Sequence, residues 1–335
     1  MSDTYIPSKS AIDQFCEAMV KKGITPPEMI EADGKIHRFS SNGKSDDDAG
    51  WYVFSDSNIA TGAFGDFRTG QVVKAWVADI GRVLSSVEKS DFRQKQDELR
   101  AQREADIAQR RAAAKTKAAT ILRVSSPAYD GHPYLIRKKV EAYGLRQWNN
   151  LIVIPMIDES TEVQSLQLIS SDGDKKFLSG GKMQGCYFPI GSLKNAYTVL
   201  IAEGYATAAT LHEATGIPVI VAFNAGNLLG VSKSIRAQYP AMSIILCADD
   251  DIKTKGNPGL TKATEAADAV NGKRIIPDFG DDRPDGTTDF NDMAAHLGIE
   301  AVTGLFISRS LNLGYRIPVT LKPRLANPSL SRPSL

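Results

Sequence analysis

Cysteine is scarce in this chain: three residues in 335, Cys16, Cys186 and Cys247, widely separated and never in a CxxC pair. That spacing excludes a zinc ribbon and a disulfide framework, so no zinc site is expected, and Cys247, inside an apolar run, reads as a small buried hydrophobe. Histidine is sparse as well. His37, His132, His212 and His296 are scattered and match no ligand spacing, and His212-Glu213 lacks the second histidine a zinc protease requires. No apolar run is long enough to span a bilayer, and the opening MSDTYIPSKSAIDQF lacks the basic-then-apolar order of a signal peptide. A soluble cytoplasmic protein with no membrane partner is expected. Excess charge is nearly absent, the formal net value being +1, so any affinity for nucleic acid must come from local Lys and Arg patches. A nucleotide-driven motor is excluded too. In Asn42-Gly43-Lys44-Ser45 the first glycine of a P-loop is replaced by Arg38, and Asp46-Asp47-Asp48 starts no helix.

What is present divides the chain into pieces. Over 7–23 a helical pattern puts Ile12, Phe15, Met19 and Val20 on one face. Strand-like stretches follow at 35–39, 50–54 and 58–67, with Tyr52, Phe54, Phe64 and Phe67 as β-formers between glycine and asparagine turns. A helix over 71–83 is expected to close this small, mostly β domain. Its aromatics could stack on bases, but most are expected to pack a core. Residues 84–123, rich in Ala, Gln, Arg, Lys and Glu and free of Gly and Pro, predict one long charged helix. Its basic residues could lie along nucleic acid; a solvated face laced with i,i+4 pairs is the plainer reading.

Ser125-Ser126-Pro127 ends that helix, and a short helix with Arg137, Lys138 and Lys139 follows. Segments 151–157 and 163–170 predict a β-hairpin, leading into Lys175-Lys176-Phe177-Leu178-Ser179-Gly180-Gly181-Lys182. Lysines beside glycines suit phosphate, because the backbone can approach while ammonium groups neutralise charge. A solvated loop has the same composition.

The densest chemistry lies at 198–251. Apolar runs at 198–202, 218–223 and 243–248 alternate with helical segments at 205–213 and 227–239, a β-α-β-α-β order. Short runs of Val, Ile and Leu without polar alternation are strands covered on both faces, which implies a parallel sheet with crossover helices. Glu203 stands just past the first strand, and Asp249, Asp250 and Asp251 just past the last. Ligands of such sheets bind beyond the carboxyl ends of the strands. In an extended Asp-x-Asp, Asp249 and Asp251 point one way and Asp250 the other. Carboxylates this close repel unless a cation sits among them, and hard oxygen donors select Mg2+ or Mn2+. Singly, each acid could be only a helix cap or a loop solubiliser.

Strand-Glu-Gly, strand-Asp-x-Asp and then a Gly-containing loop, Asn257-Pro258-Gly259, opening a helix resemble the Toprim domain. That domain is shared by DnaG-type primases, topoisomerases, recombination mediators and some nucleases. The resemblance implies Mg2+ on Asp249 and Asp251, and acid-base or metal-binding work for Glu203. Val153-Ile154-Pro155-Met156-Ile157-Asp158 and the Lys175–Lys182 stretch are similar in order to the basic subdomain that precedes Toprim in DnaG-type primases. The chain departs from that pattern at Ser165-Leu166-Gln167-Leu168-Ile169, where an arginine-containing Gly-rich segment is expected. Thr288-Asp289-Phe290-Asn291-Asp292-Met293 resembles a segment of plasmid and phage Toprim primases that lies near the metal, which makes Asp289 and Asp292 secondary candidates. Asp289 is equally a helix N-cap.

The expected fold is therefore α/β. A Toprim domain of the Rossmann-like parallel type (197–300) follows a small N-terminal α+β domain (1–83), a long charged helix (84–123) and a basic primase-type α+β subdomain (124–196). A C-terminal segment with a flexible proline-rich tail (301–335) completes it. The resemblance implies a primase, a nucleotidyltransferase that copies single-stranded DNA template with ribonucleoside triphosphates into short RNA primers for a plasmid or phage. Lys175, Lys176, Lys182, Arg137 and Lys138 would hold nucleotide or DNA, and a separate replicative helicase would be a partner. A Toprim nuclease and a non-catalytic DNA-binding mediator are the alternatives.

Overall fold

The computed structural model describes residues 9–43, 49–56, 59–66, 71–81 and 85–313. Lys44, Ser45, Phe67 and the tail from Ile317 therefore lie outside the described residues. The chain divides into two compact units, Met1–Arg100 and Ala101–Leu335.

In the first unit, helix α1 (Ala11–Lys21) starts at a capping box: Ser10 Oγ accepts from the Asp13 amide and the Asp13 carboxylate accepts from the Ser10 amide. Phe15 and Met19 are fully buried, whereas Ile12 and Val20, expected on the same face, are 37% and 60% exposed. Only the centre of the apolar stripe, Phe15 and Met19, joins the core formed with the sheet. That sheet is an antiparallel meander of β1 (His37–Phe39), β2 (Gly50–Ser55), β3 (Thr61–Asp66) and β4 (Gln71–Val77). The helix expected over 71–83 is thus corrected to strand β4. Val72, Val73 and Val77 are β-branched and favour a pleated surface, and pairing with β3 settles the conformation. Phe39, Tyr52, Phe54 and Phe64 pack around Phe15, with ring centroids 4.9 Å from Phe15 to Phe54 and 5.4 Å to Phe64. These aromatics form a core.

Helix α2 (Ser86–Val124) is the long charged helix. Ala114, Ala118 and Ile121 recur at helical spacing and are buried against Val153, Leu166 and Leu178. Those partners belong to an antiparallel sheet of β5 (Ser126–Pro127), β6 (Arg146–Trp148), β7 (Leu151–Ile157), β8 (Val163–Ile169) and β9 (Lys175–Phe177), in that order. The expected hairpin is β7–β8. Between β5 and β6, α3 (Pro133–Lys138) is capped by His132, whose Nδ1 accepts from the Tyr134 amide at 3.2 Å.

The second sheet of this unit carries the β-α-β-α-β order. It contains β10 (Phe188–Ile190), β11 (Thr198–Ala202), β12 (Val219–Val221), β13 (Ser243–Cys247) and β14 (Lys273–Ile275), in the order β10-β12-β11-β13-β14. The last four run parallel and β10 is an antiparallel edge. Helices α4 (Tyr205–Thr215), α5 (Leu228–Gln238), α6 (Pro258–Ala269), α7 (Phe290–Leu297) and α8 (Ile299–Leu313) complete it. Period-2 alternation sends Leu200, Ala202, Val219 and Ile245 into one core and Val199, Ile201, Ile220 and Ile244 into another. That is why these strands read as unbroken apolar runs. Val302 and Phe306 of α8 extend the first core. Among the described residues no helix is long and apolar enough to cross a membrane.

Candidate active site

Strands β11 and β13 are parallel neighbours with Ala202 opposite Cys247. Glu203 and the Asp249-Asp250-Asp251 segment therefore leave the sheet at the same edge. Glycine at 204, the N-cap of α4, gives no side-chain hydrogen bond to the helix. Asp250 is held by partners of its own. Its amide donates to the Thr288 carbonyl at 2.8 Å, and its carboxylate accepts from Asn257 Nδ2 at 2.7 Å and Arg283 Nη1 at 2.6 Å. Asn257, in the left-handed region at φ 40°, also accepts from the Asp251 amide at 2.9 Å and caps α6. Asp251 in turn accepts from the Gly259 amide at 3.2 Å.

A cavity of about 190 Å³ opens at this edge, lined by Lys138, Lys175, Glu203, Gly204, Asp249 and Asp289. Asp251 lines the adjoining hollow with Arg283 and Thr288. Glu203 Oε1 and Asp249 Oδ1 are shielded from solvent and have no hydrogen-bond partner. Buried oxygens of this kind cost free energy unless a proton or a cation meets them. Burial pushes the Glu203 carboxyl up to about 7, with the negative charge of Asp251 the next cause, opposed by a hydrogen bond from the Ala225 amide. Burial and then Glu203 push Asp249 up to about 8. Asp289 is raised by burial and by Asp292. It is also the N-cap of α7, accepting from the Asp292 amide at 2.9 Å in a capping box that uses Asp292 in return. Asp289 thus caps a helix and lines the cavity.

Period 2 on β9 explains how a lysine reaches the acids. Lys175 and Phe177 share a face, and Phe177 packs edge-on against Phe223 at 6.3 Å between ring centroids. Phe223 follows β12 with φ 74°, an unusual backbone region for a bulky residue and the kind of local strain that gathers at functional edges. The docked strand brings Lys175 Nζ to 3.6 Å from where a Cβ on Gly204 would stand. Burial and the nearby Lys138 lower the Lys175 ammonium, while Asp289, Asp249 and Glu203 oppose that shift.

The other basic residues singled out in the sequence do not line this cavity. Lys176 alternates to the opposite face of β9. Lys182 Nζ lies 3.8 Å from Asp158, and Arg137 donates to the Ser171 carbonyl at 2.9 Å. The partners of both lie across turns of the β-hairpin region, contacts that a linear motif does not display. Phe223 and Arg283 were not singled out as site residues in the sequence, and Asn257 was named there only as part of the loop that opens a helix. Phe223 and Asn257 carry a local signal, an aromatic closing an apolar run and an Asn before Pro-Gly.

The donor set fits a hard divalent cation: carboxylate oxygens, two of them unpartnered. The rim is wide. Among the described residues, three ligating groups with donor atoms all within 4.8 Å of one another occur at Glu31, Asp33 and His37 in the first unit, not at the rim. Mg2+ keeps several waters and takes phosphate oxygens beside one or two carboxylates, so a wide acidic rim suits it better than a closed cage would. This first-unit cluster is not singled out by the sequence, where the histidines are scattered and match no ligand spacing. It is exposed, and its hydrogen bond from His37 Nε2 to Asp33 Oδ1 (2.8 Å) already holds the Asp33 carboxyl low.

Residues 198–300 match the family described as the Toprim domain. Two Escherichia coli proteins, each named DNA primase TraC, are similar to this chain: one 34% identical over 291 residues, 82% of this chain and 27% of that protein, the other 33% identical over 293 residues, 82% and 20%. The chain thus spans roughly a quarter or less of the length of these curated relatives. Solved structures similar to it include the primase fragment of the bacteriophage T7 primase-helicase protein, 16% identical with a TM-score of 0.42 over 54% of this chain and 74% of that one. The DnaG catalytic core is 14% identical with a TM-score of 0.39, over 60% and 79%. The parallel strands with Glu-Gly and Asp-x-Asp at one sheet edge fall within residues 198–300, which match the Toprim domain, and 82% of the chain is similar to proteins named DNA primase TraC.

Proposed function

We propose that this chain is the catalytic portion of a DNA primase that joins ribonucleotides into short RNA primers on single-stranded DNA during plasmid or phage replication. It would act in the cytoplasm beside a separate replicative helicase. The observation that carries this reading is the pair of buried, unpartnered carboxylate oxygens on Glu203 and Asp249, in a cavity that Lys175 and Lys138 also line. The relationship to TraC over 82% of the chain supports it.

Asp249, Asp251 and Glu203 would hold Mg2+, with Asp289 as a secondary contributor. Bound there, the ion supplies charge neutralisation for the triphosphate and for the departing pyrophosphate. The chain's own residues do the rest. Lys175 and Lys138 line the same cavity as the acids and would orient the phosphates, a task for which a compact ammonium suffices. Where Glu203 is not engaged by the ion, it would instead accept the proton of the attacking 3′-hydroxyl. Catalysis of this kind is chiefly positioning and electrostatic stabilisation.

The test is incubation with labelled single-stranded DNA, ribonucleoside triphosphates and Mg2+ or Mn2+. Wild type should make short RNA, and Asp249→Ala and Glu203→Ala should make none while keeping the wild-type circular dichroism spectrum. Shortened DNA would point instead to phosphodiester hydrolysis, and binding without product to a mediator.

A further inference from the structure

Asp250 lies outside the cavity that Asp249 lines, and of the three aspartates it is the most heavily engaged. Arg283, on the loop between β14 and α7, donates from Nη1 to the Asp250 carboxylate at 2.6 Å and from Nη2 to the Asp250 carbonyl at 2.8 Å. The same guanidinium donates from Nε to the Thr287 carbonyl at 3.2 Å and lies 4.5 Å above the centre of the Phe279 ring. Its side chain is 19% exposed and that of Asp250 is 13% exposed. The adjacent Thr288 accepts from the Asp250 amide at 2.8 Å, and the next residue is Asp289. One loop therefore grips the middle of Asp-x-Asp and leads directly into Asp289, which lines the same cavity as Asp249.

Resting on the reading of the rim given above, we infer that Arg283 is a positioning residue. Through Asp250 and Thr287 it fixes the separation of Asp249 and Asp251 from Asp289, and so sets the affinity of the rim for a divalent cation. A planar fork that meets a carboxylate and two carbonyls at once and stacks on an aromatic ring is work for arginine; a lysine ammonium cannot reproduce it. Without the guanidinium, the largely buried Asp250 carboxylate keeps only Asn257 as a side-chain partner of those described here, and a buried charge stripped of its counterion relocates. Asp249 and Asp251 are its immediate neighbours in the chain and must move with it.

The sign of the effect separates position from charge. By Coulomb attraction alone, deleting a cation beside an acidic rim tightens binding of another cation. Loss of position weakens it, and partners one step removed from a metal commonly account for tenfold to hundredfold in affinity. The experiment is calorimetric titration of the full chain with Mn2+, without nucleotide, for wild type, D249A, R283A and R283K, alongside thermal unfolding of each. Mn2+ binding that D249A abolishes, and that R283A weakens by about tenfold or more, is the expected result. R283K, which keeps the charge and loses the fork, should also bind more weakly; if R283A does not fold, R283K alone decides. Unchanged or tighter Mn2+ binding in the folded Arg283 variants would overturn the inference while leaving the rim in place. Wild-type binding insensitive to D249A would overturn the reading of the rim, and the inference with it.

Discussion

Gly259 sits so close to Asp249 that a Cβ built on it would lie 2.7 Å from the Asp249 carbonyl oxygen and 3.0 Å from Asp251 Oδ2. The first turn of α6 is pressed against the Asp-x-Asp backbone, and the Gly259 amide is the donor that Asp251 uses. Gly259→Ala must push backbone rather than a flexible side chain. It should cost about 1–3 kcal/mol of stability, as overpacked sites do, and should reduce Mn2+ affinity and primer synthesis together. A variant with wild-type Tm and full activity would show that this contact does not hold the acids.

Proton linkage gives a second outcome. Glu203 is raised from 4.5 to about 7 and Asp249 from 3.8 to about 8. Between their unfolded and folded values the folded chain binds more protons than the unfolded chain, so metal-free stability falls as pH rises. The contribution is fully present below about pH 4 and lost as pH passes through 7 and 8. In chelator, Asp249→Asn should raise Tm near pH 8 and flatten the pH dependence while abolishing synthesis. Saturating Mn2+ should restore wild-type Tm at that pH by mass action. Differential scanning calorimetry from about pH 5 to 9 reads both, and a metal-free Tm that climbs across that range contradicts the linkage.

Lys175 and Lys176 are neighbours on β9 with opposite fates. Lys175→Ala should raise KM for ribonucleoside triphosphate by about tenfold to hundredfold, as expected for losing a charge-assisted contact of about 1.5–3 kcal/mol. Lys176→Ala, on the other face, should change it by less than about twofold, the usual range for an exposed charge. Steady-state kinetics on a fixed template distinguishes them, and equal effects would contradict the docking of β9 by Phe177 on Phe223.

Much of this arrangement was legible in the residues themselves. Runs such as Thr198–Ala202 are buried on both faces, and double-sided burial is what an unbroken apolar run encodes. What escaped was set by contacts distant in sequence. Arg283 stands 33 residues from the aspartate it grips, inside a loop that looks merely acidic. Lys182 and Arg137 look free in the sequence and meet Asp158 and the Ser171 carbonyl in space. The stretch Gln71–Val77 is a strand because β3 offers it an edge, and β10 has only three residues, too few to show a period. Asp33 and His37 are four apart, and their meeting depends on the turn that precedes β1.

Anomalous diffraction from crystals soaked in Mn2+ tests the central claim most directly, because it locates the ion without relying on turnover. The expected result is a manganese peak at the sheet edge between Glu203, Asp249 and Asp251, absent in Asp249→Ala. A peak only at Glu31, Asp33 and His37, with none beside Asp249, would contradict it.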